Sequence, residues 1–212
     1  RAGLATSLRF LCAFGAAIAP CRLSALTVRV EGHNPAMRYF SSARDGWFHA
    51  RRPGGSVDQM KRLLVISHAP TLATVSLRDA VIAGTSDPEF FDGLVEVVAI
   101  EALEATDPQA YLDADAYLFG TPVNFGYLSG ALKHSFDSTY GALQGHVRRR
   151  PFSYWVHGRS DATGARRALD AITTGLELRL VAEPFERLGD VGDDDLAAAR
   201  EFGATVAAHL LD

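Results

Sequence analysis

Residues 61–74, which read KRLLVISHAPTLAT, decide the fold class of this chain. Two basic residues precede four consecutive aliphatic residues, and such a run is typical of a strand buried on both faces. A loop of Ser, His, Ala, Pro and Thr follows, and an apolar stretch with helical period begins at its end. We therefore predict a strand at 62–67 and a helix at 71–83, ending near Gly84, which together open a βαβ unit.

The same alternation continues to the end of the chain. Ser129 is placed to cap one predicted helix, and three aspartates stand at the amino end of the last one, where the helix dipole favours them. Five strands separated by helices imply a parallel sheet, and right-handed crossovers make it doubly wound. The further strands are predicted at 94–100, 116–120, 152–157 and 178–185, and the further helices at 129–137, 162–175 and 193–211.

Charge and cysteine content separate the first 59 residues from the rest. Residues 1–59 carry 8 Lys+Arg and 3 Asp+Glu, a net of +5, whereas residues 60–212 carry 13 and 22, a net of −9; together these give the −4 of the whole chain. The acidic body argues against a broad nucleic-acid surface, because phosphates need a basic footprint. Both cysteines, Cys12 and Cys21, precede the body, which therefore has no disulfide framework. This suits a reducing compartment, and we expect a cytoplasmic protein.

Residues 1–59 allow three interpretations. They hold an apolar run from Leu8 to Pro20, and we find neither a helical period nor a strand alternation from 30 to 59. They could be a secretory signal peptide, an Arg-rich transit peptide, or an upstream extension without evolved structure before a true start at Met60. The strand that follows Met60 favours the third, so we expect 1–59 to be disordered or non-native. Arg9 and Arg22 bracket a run shorter than the roughly 18 apolar residues of a membrane span.

The loop after the first strand suits a phosphate. Ligands of doubly wound sheets bind beyond the carboxyl ends of the strands, near the switch in strand order. This loop offers hydroxyls and a helix amino end, but no Gly-x-Gly-x-x-Gly, no Gly-Lys-Ser/Thr, and no lysine or arginine. Neutral donors are more typical of a permanently bound mononucleotide than of a phosphate being transferred. The alternative is that Ser67 and Thr71 merely cap the helix.

Two more loops should meet at the same edge. Residues 120–129, GTPVNFGYLS, combine two glycines, a proline and two aromatics, which predicts a shaped, rigid loop for a planar apolar ligand, with Asn124 reading its edge. The alternative is an ordinary strand-to-helix turn. His157 and Gly158 end the fourth strand, and His157 has either a functional or a structural role.

These segments together resemble the flavodoxin-like NAD(P)H-dependent FMN reductases and quinone reductases. The resemblance covers essentially all of residues 60–212, taken as one FMN-binding domain, and none of residues 1–59. It implies a flavodoxin-like, doubly wound, five-stranded parallel sheet of order 2-1-3-4-5. The matching features are the loop His68-x-Pro70-Thr71-x-x-Thr74, the segment Gly120-Thr121-Pro122, the helix Gly126-x-x-Ser129-x-x-Leu132-Lys133-x-x-x-Asp137, and the turn His157-Gly158.

The resemblance also implies a cofactor and a site. The cofactor is FMN, NAD(P)H is the co-substrate, and a small-molecule electron acceptor such as a quinone or a flavin takes the nicotinamide's place. No metal is implied, and a homodimer or tetramer is possible. The residues implied to surround the phosphate are Ser67, His68, Pro70, Thr71 and Thr74. Those implied to line the flavin ring are Thr121, Pro122, Val123, Asn124 and Phe125, and those implied to close its other edge are His157, Gly158 and Thr163. His157 is the candidate catalytic residue, as a hydrogen-bond donor to the flavin or a quinone oxygen.

Other functions remain open from the sequence. A flavodoxin-type electron carrier would have no substrate site of its own, and a flavin-free domain could keep the fold as an interaction module. Lys133 and Asp137 are interpreted as a helix-surface ion pair rather than as catalytic residues. The run Arg148-Arg149-Arg150 is interpreted as a solvated basic turn, with attraction of the 2′-phosphate of NADPH as the alternative.

Overall fold

The strand that the sequence predicts first lies in the interior of the sheet, between two parallel neighbours. The computed structural model of the chain describes residues 60–211 and the backbone of residues 37–39. The strands are β1 (Met37–Tyr39), β2 (Lys61–Ser67), β3 (Val95–Glu101), β4 (Ala116–Asn124), β5 (Tyr127–Leu128), β6 (Pro151–Gly158), β7 (Arg179–Leu180) and β8 (Phe185–Leu188). The helices are α1 (Leu72–Thr85), α2 (Pro88–Phe91), α3 (Pro108–Asp113), α4 (Gly130–Leu143), α5 (Thr163–Gly175) and α6 (Asp193–Ala208).

The parallel pairing has the predicted order. β2 lies between β3 and β4, β6 pairs with β4, and β7 and β8 both pair with β6. Numbering the five predicted strands along the chain, this is the order 2-1-3-4-5. The prediction of a doubly wound α/β sheet is therefore confirmed.

The ends of the sheet differ from the prediction at its fifth strand and at one edge. The predicted fifth strand, 178–185, is divided into β7 and β8, with Pro184 in the gap, where a residue without an N–H cannot continue the ladder. β1 adds an edge strand parallel to β3, within the 30–59 range where we saw no alternation, because three residues are too few to show a period. The other interpretations of residues 1–59 lie outside the described residues, and the domain boundary at Met60 stays a prediction.

The two faces of the sheet bury separate hydrophobic clusters. Leu64 and Ile66 of β2 contribute to one cluster, with residues of α3, α4 and α5, while Leu63 and Val65 contribute to the other, with residues of α1 and α6. A Cβ on Gly84 would fall inside van der Waals contact of the Arg200 carbonyl oxygen. Glycine therefore lets α1 and α6 pack closely. None of the described helices has the length and hydropathy to cross a membrane.

Candidate functional site

A cleft opens at the carboxyl edge of the sheet, beside the switch point between β2 and β4. α1 follows β2 onto one face, and α4 follows β4 onto the other. The two connecting segments therefore diverge there and leave a crevice. The cleft has a volume of about 310 Å³. Four segments contribute its walls. The residues that line it are Thr71, Ala73, Thr74, Pro122, Val123, His157, Gly158, Arg159, Gly189, Asp190 and Val191.

The first turn of α1 presents free backbone donors at the cleft. Thr71 is the N-cap, and it forms a reciprocal pair with Thr74: the Thr74 N–H donates to Thr71 Oγ1 at 3.3 Å, and the Thr71 N–H donates to Thr74 Oγ1 at 3.0 Å. The N–H groups of Leu72 and Ala73 have no hydrogen-bond partner in the described part of the chain. No acidic side chain stands in this turn. The turn is therefore suited to an anion.

The other predicted phosphate residues lie beside or below this turn. Ser67 is only 4% exposed, and its hydroxyl makes no hydrogen bond to any described group. His68 places Nδ1 2.8 Å from Glu101 Oε1, and its backbone N–H donates to the Gly120 carbonyl at 3.0 Å. Neither His68 nor the exposed Pro70 lines the cleft. The structure thus brings only Thr71 and Thr74 of the five predicted phosphate residues to the cleft wall.

The segment predicted as a shaped loop at 120–129 is instead strand and hairpin. β4 continues to Asn124 and turns back into β5 through Phe125 and Gly126, whose φ angles are 52° and 74°. Two positive φ values in a two-residue connection are the signature of a type I′ turn. The prediction was wrong here because Gly and Pro suggested an early end of the strand, whereas β4 pairs with β6 as far as Pro122.

This hairpin separates the predicted ring residues. Pro122 and Val123 line the cleft. Thr121 is buried, and its hydroxyl accepts from the Ser129 N–H and donates to the Pro122 carbonyl, both at 2.9 Å, so it braces the hairpin. Asn124 and Phe125 are exposed and do not line the cleft, and the Phe125 side chain is fully exposed at the tip.

The hairpin tip lies against the amino end of α5. A Cβ on Gly164 would overlap the carbonyl oxygen of Gly126, so glycine is required at this contact. Thr163 does not line the cleft: its N–H and its hydroxyl both donate to Asp161 Oδ1, at 3.1 and 2.7 Å. These two hydrogen bonds, the hydroxyl first, hold the pKa of the Asp161 carboxyl below its ordinary value. Thr163 therefore belongs to the cap of α5.

His157 ties the end of β6 to the turn after β8. Its Nε2 lies 2.9 Å from the Gly189 carbonyl oxygen, and because a carbonyl only accepts, Nε2 is the donor. In a neutral ring this leaves Nδ1 as an acceptor. His157 can therefore donate a second hydrogen bond, as its predicted role requires, only as an imidazolium.

Gly158 sets the width of the cleft next to His157. A Cβ there would lie 3.0 Å from Val123 Cγ2 and 3.2 Å from Leu188 Cδ2, tighter than ordinary packing. Its carbonyl also accepts from the Gly189 N–H at 2.9 Å. Any larger residue would press against the cleft wall.

Five lining residues were missed by the sequence analysis. Ala73 and Arg159 adjoin predicted residues, but Gly189, Asp190 and Val191 follow β8, which was not predicted as a separate strand. Gly189 has a φ of 80°, and the sequence Gly-Asp at 189–190 is a turn signal that could have identified this loop. Arg159 Nη1 lies 3.3 Å from Asp190 Oδ1 at the mouth of the cleft.

Two charged features found in the sequence lie elsewhere. The arginine run precedes β6, at the amino edge of the sheet, opposite the cleft. Arg150 Nη1 donates to the carbonyls of Tyr111 and Ala114, and Arg148 pairs with Glu177 at 2.6 Å. None of these three arginines lines the cleft, and their alternative role in binding a 2′-phosphate stays a prediction. Lys133 Nζ lies 2.6 and 2.7 Å from the two carboxylate oxygens of Asp137, as an ion pair on the surface of α4, as predicted.

The solved structures that match this chain share one architecture. A flavodoxin, WrbA-like protein from Agrobacterium tumefaciens matches with a TM-score of 0.60 and 20% identity, covering 71% of this chain and 98% of that one. A flavodoxin from the domain Archaea matches with a TM-score of 0.59 and 11% identity, covering 71% and 99%. The fold is flavodoxin-like. The Flv1 flavodiiron core from Synechocystis also matches, with a TM-score of 0.61 and 16% identity, covering 72% of this chain but 36% of that one.

Identities this low establish the flavodoxin-like fold and nothing further. No family model matches the chain, and no curated protein matches it. The residues of the cleft can nevertheless be tested against the mononucleotide that the sequence resemblance implies. Two N–H groups without a partner among the described residues, two hydroxyls and a first helical turn without carboxylates fit a phosphate, and Pro122, Val123 and Gly158 form an apolar wall. The residues present fit FMN.

Proposed function

We propose that this chain binds FMN in the cleft and passes electrons from NAD(P)H to a quinone, a flavin or a similar small acceptor. The observation that carries the proposal is the meeting, at the switch point, of free N–H donors on α1 with an apolar wall from β4 and β6. FMN would supply the capacity to take up a hydride and to release electrons. The chain's own residues bind and orient it.

Each wall of the cleft is proposed to bind a different part of FMN. Thr71, Thr74 and the N–H groups of Leu72 and Ala73 would hold the phosphate. Pro122 and Val123 on one side, and His157 and Gly158 on the other, would bound the ring and restrict the entry of water. Only one first turn with free donors lines the cleft among the described residues, which favours FMN over FAD.

The comparisons support a flavin and leave a second candidate. Two of the similar structures are named as flavodoxins and one as a flavodiiron core. A flavodoxin-type electron carrier without its own substrate site is the alternative, although such carriers are usually more acidic than residues 60–212, whose net charge is −9. A cytoplasmic location and a homodimer or tetramer stay predictions.

A spectrum and a turnover assay test this proposal. The full chain should purify with, or take up, a yellow cofactor that mass spectrometry identifies as FMN, and it should consume NADPH or NADH steadily with 1,4-benzoquinone. Bound FMN without turnover would favour the electron carrier. FAD as the main species would contradict the cofactor assignment. Failure to bind added FMN would overturn the proposal and leave the interaction module.

A further inference from the structure

We propose that Arg159 binds the 2′-phosphate of NADPH at the rim of the cleft and so selects NADPH over NADH. The inference rests on the proposed function, because it concerns the nicotinamide dinucleotide that would reduce FMN. It assigns a specificity-determining role to a residue that the sequence analysis did not select. NADPH and NADH differ only by this phosphate, so a single cation in the right place can separate them.

The dinucleotide must extend beyond the cleft. A volume of about 310 Å³ holds little beyond one mononucleotide. When the nicotinamide reaches the flavin, its adenosine half therefore lies outside, on the rim. The charges of the rim then decide whether an additional phosphate is attracted or repelled.

Arg159 is the cation that this rim offers. Among the described residues, it is the only lysine or arginine that lines the cleft. It follows Gly158 directly, so its backbone is fixed to the cleft wall, while its side chain is 86% exposed. A guanidinium that is anchored at its base and free at its tip can form the bidentate contact that arginine makes with phosphate.

The present partner of Arg159 is weakly bound. Asp190 is 99% exposed and its Oδ1 lies 3.3 Å from Arg159 Nη1, and an exposed ion pair of this kind contributes little because water and salt screen it. A phosphate dianion can therefore replace it. Arg187, the neighbouring arginine, donates to the Asp190 carbonyl and pairs with Asp195 at 2.9 Å, so it holds the loop instead.

Within residues 60–211, the opposite side of the rim offers an added phosphate no comparable site. Leu72, at the start of α1, is 87% exposed. The next strand end carries Glu101, whose carboxylate pairs with His68. Arg78, farther along α1, pairs with its neighbour Asp79 at 2.7 Å. The side formed by β6 and β8 also carries carboxylates, but it alone among the described residues places an arginine on the cleft wall.

The test compares two arginines that both form exposed ion pairs. Arg159→Gln removes the proposed contact, and Arg148→Gln removes a surface arginine paired with Glu177 at the other edge of the sheet. KM values for NADPH and NADH are measured with 1,4-benzoquinone. Binding of adenosine 2′,5′-bisphosphate and of 5′-AMP is measured by calorimetry, which needs no turnover.

We expect wild type to prefer NADPH, and Arg159→Gln to raise the ratio of KM for NADPH to KM for NADH at least tenfold. The bisphosphate should lose affinity in the same variant while 5′-AMP does not. Arg148→Gln should leave the ratio at its wild-type value. Asp190→Asn, which removes the competing carboxylate, should lower KM for NADPH.

Different results would overturn the role of Arg159 and the proposed function. A wild-type chain without preference, or an Arg159→Gln ratio equal to wild type, overturns the inference. A tenfold loss of FMN affinity in Arg159→Gln would show that this arginine contacts FMN, which also overturns it. If wild type consumes neither nucleotide, the proposed function fails, and the preference for the bisphosphate over 5′-AMP still decides the role of Arg159.

Discussion

Thr71 and Thr74 form reciprocal hydrogen bonds at the first turn of α1, and the proposed phosphate site depends on that pair. Thr71→Asp tests the site without removing the cap, because aspartate is at least as good an N-cap as threonine. Its carboxylate would stand against the FMN phosphate, and like charges in a partly buried site repel. We expect FMN affinity to fall at least tenfold, on the order of 1.4 kcal/mol, in a fluorescence titration of the apoprotein.

A control for this substitution is Thr71→Ser, which keeps the hydroxyl and should bind FMN like wild type. Thermal melts of the apoproteins should show that Thr71→Asp keeps the fold. Normal FMN binding by Thr71→Asp would mean that the phosphate lies elsewhere, and the placement of the site on the first loop would be wrong.

His157 presents a different question, because its Nε2 already donates to Gly189. In His157→Ala the phosphate contacts are untouched, so FMN should remain bound, while turnover with a quinone should fall about 10²-fold if the ring stabilises developing charge. His157→Gln distinguishes stabilisation of charge from a role in holding the Gly189 loop, since the glutamine amide can still donate to the Gly189 carbonyl. Activity restored by Gln indicates that His157 positions the loop. Full activity in the Ala variant would leave His157 a structural role only.

At the scale of elements, the β4–β5 hairpin is held by its contact with α5. Gly164→Ala would press a methyl group on the Gly126 carbonyl oxygen, and backbone on both sides leaves no easy relaxation. We expect a loss of about 1–3 kcal/mol in the free energy of unfolding, measured by denaturant titration, with weaker FMN binding because Pro122 and Val123 shift with the hairpin.

Gly141→Ala is the matched control for that change. Gly141 lies inside α4, and a Cβ there meets nothing within 4 Å. Alanine should therefore stabilise the chain by about 0.5–1 kcal/mol through helix propensity. If Gly164→Ala behaves like Gly141→Ala, the hairpin is not fixed by α5 as described.

The elements also show what the sequence could predict. β2, β3 and β6 were predicted to within one residue at each end, because strands buried on both faces appear as continuous apolar runs. The short helices α2 and α3 were missed, although each begins with Asp-Pro, a cap followed by proline at the first helical position. A short helix has too few residues to show a period, so only its cap reveals it.

The candidate site was predicted in the same uneven way. The rule that ligands bind at carboxyl ends of strands identified Thr71, Pro122 and His157, because their strands were found. Gly189 and Asp190 could not be found while β7 and β8 were taken as one strand ending at 185. Where the end of a strand was predicted at the wrong residue, the cleft residues in the loop that follows it were missed as well.

At the scale of the whole molecule, the described core belongs to the body of the chain. Both hydrophobic clusters are formed, among the described residues, by side chains between Leu63 and Leu210. From the first 59 residues, the structure describes only β1, which pairs through its backbone with β3 at the edge of the sheet. The chain from Met60 onward therefore holds the described core and the cleft.

A chain that begins at Met60 should fold and bind FMN like the full chain, because every residue that lines the cleft is retained. We expect its melting temperature to stay within about 4 °C of the full chain, the shift that roughly 1 kcal/mol produces in a domain of this size. A second chain, beginning at residue 34, keeps β1 and should melt between the two. A larger loss on removing 1–59 that the chain from residue 34 recovers would assign the stability to the pairing of β1 with β3. A larger loss that it does not recover would assign it to residues 1–33, and in either case the domain boundary at Met60 would be wrong.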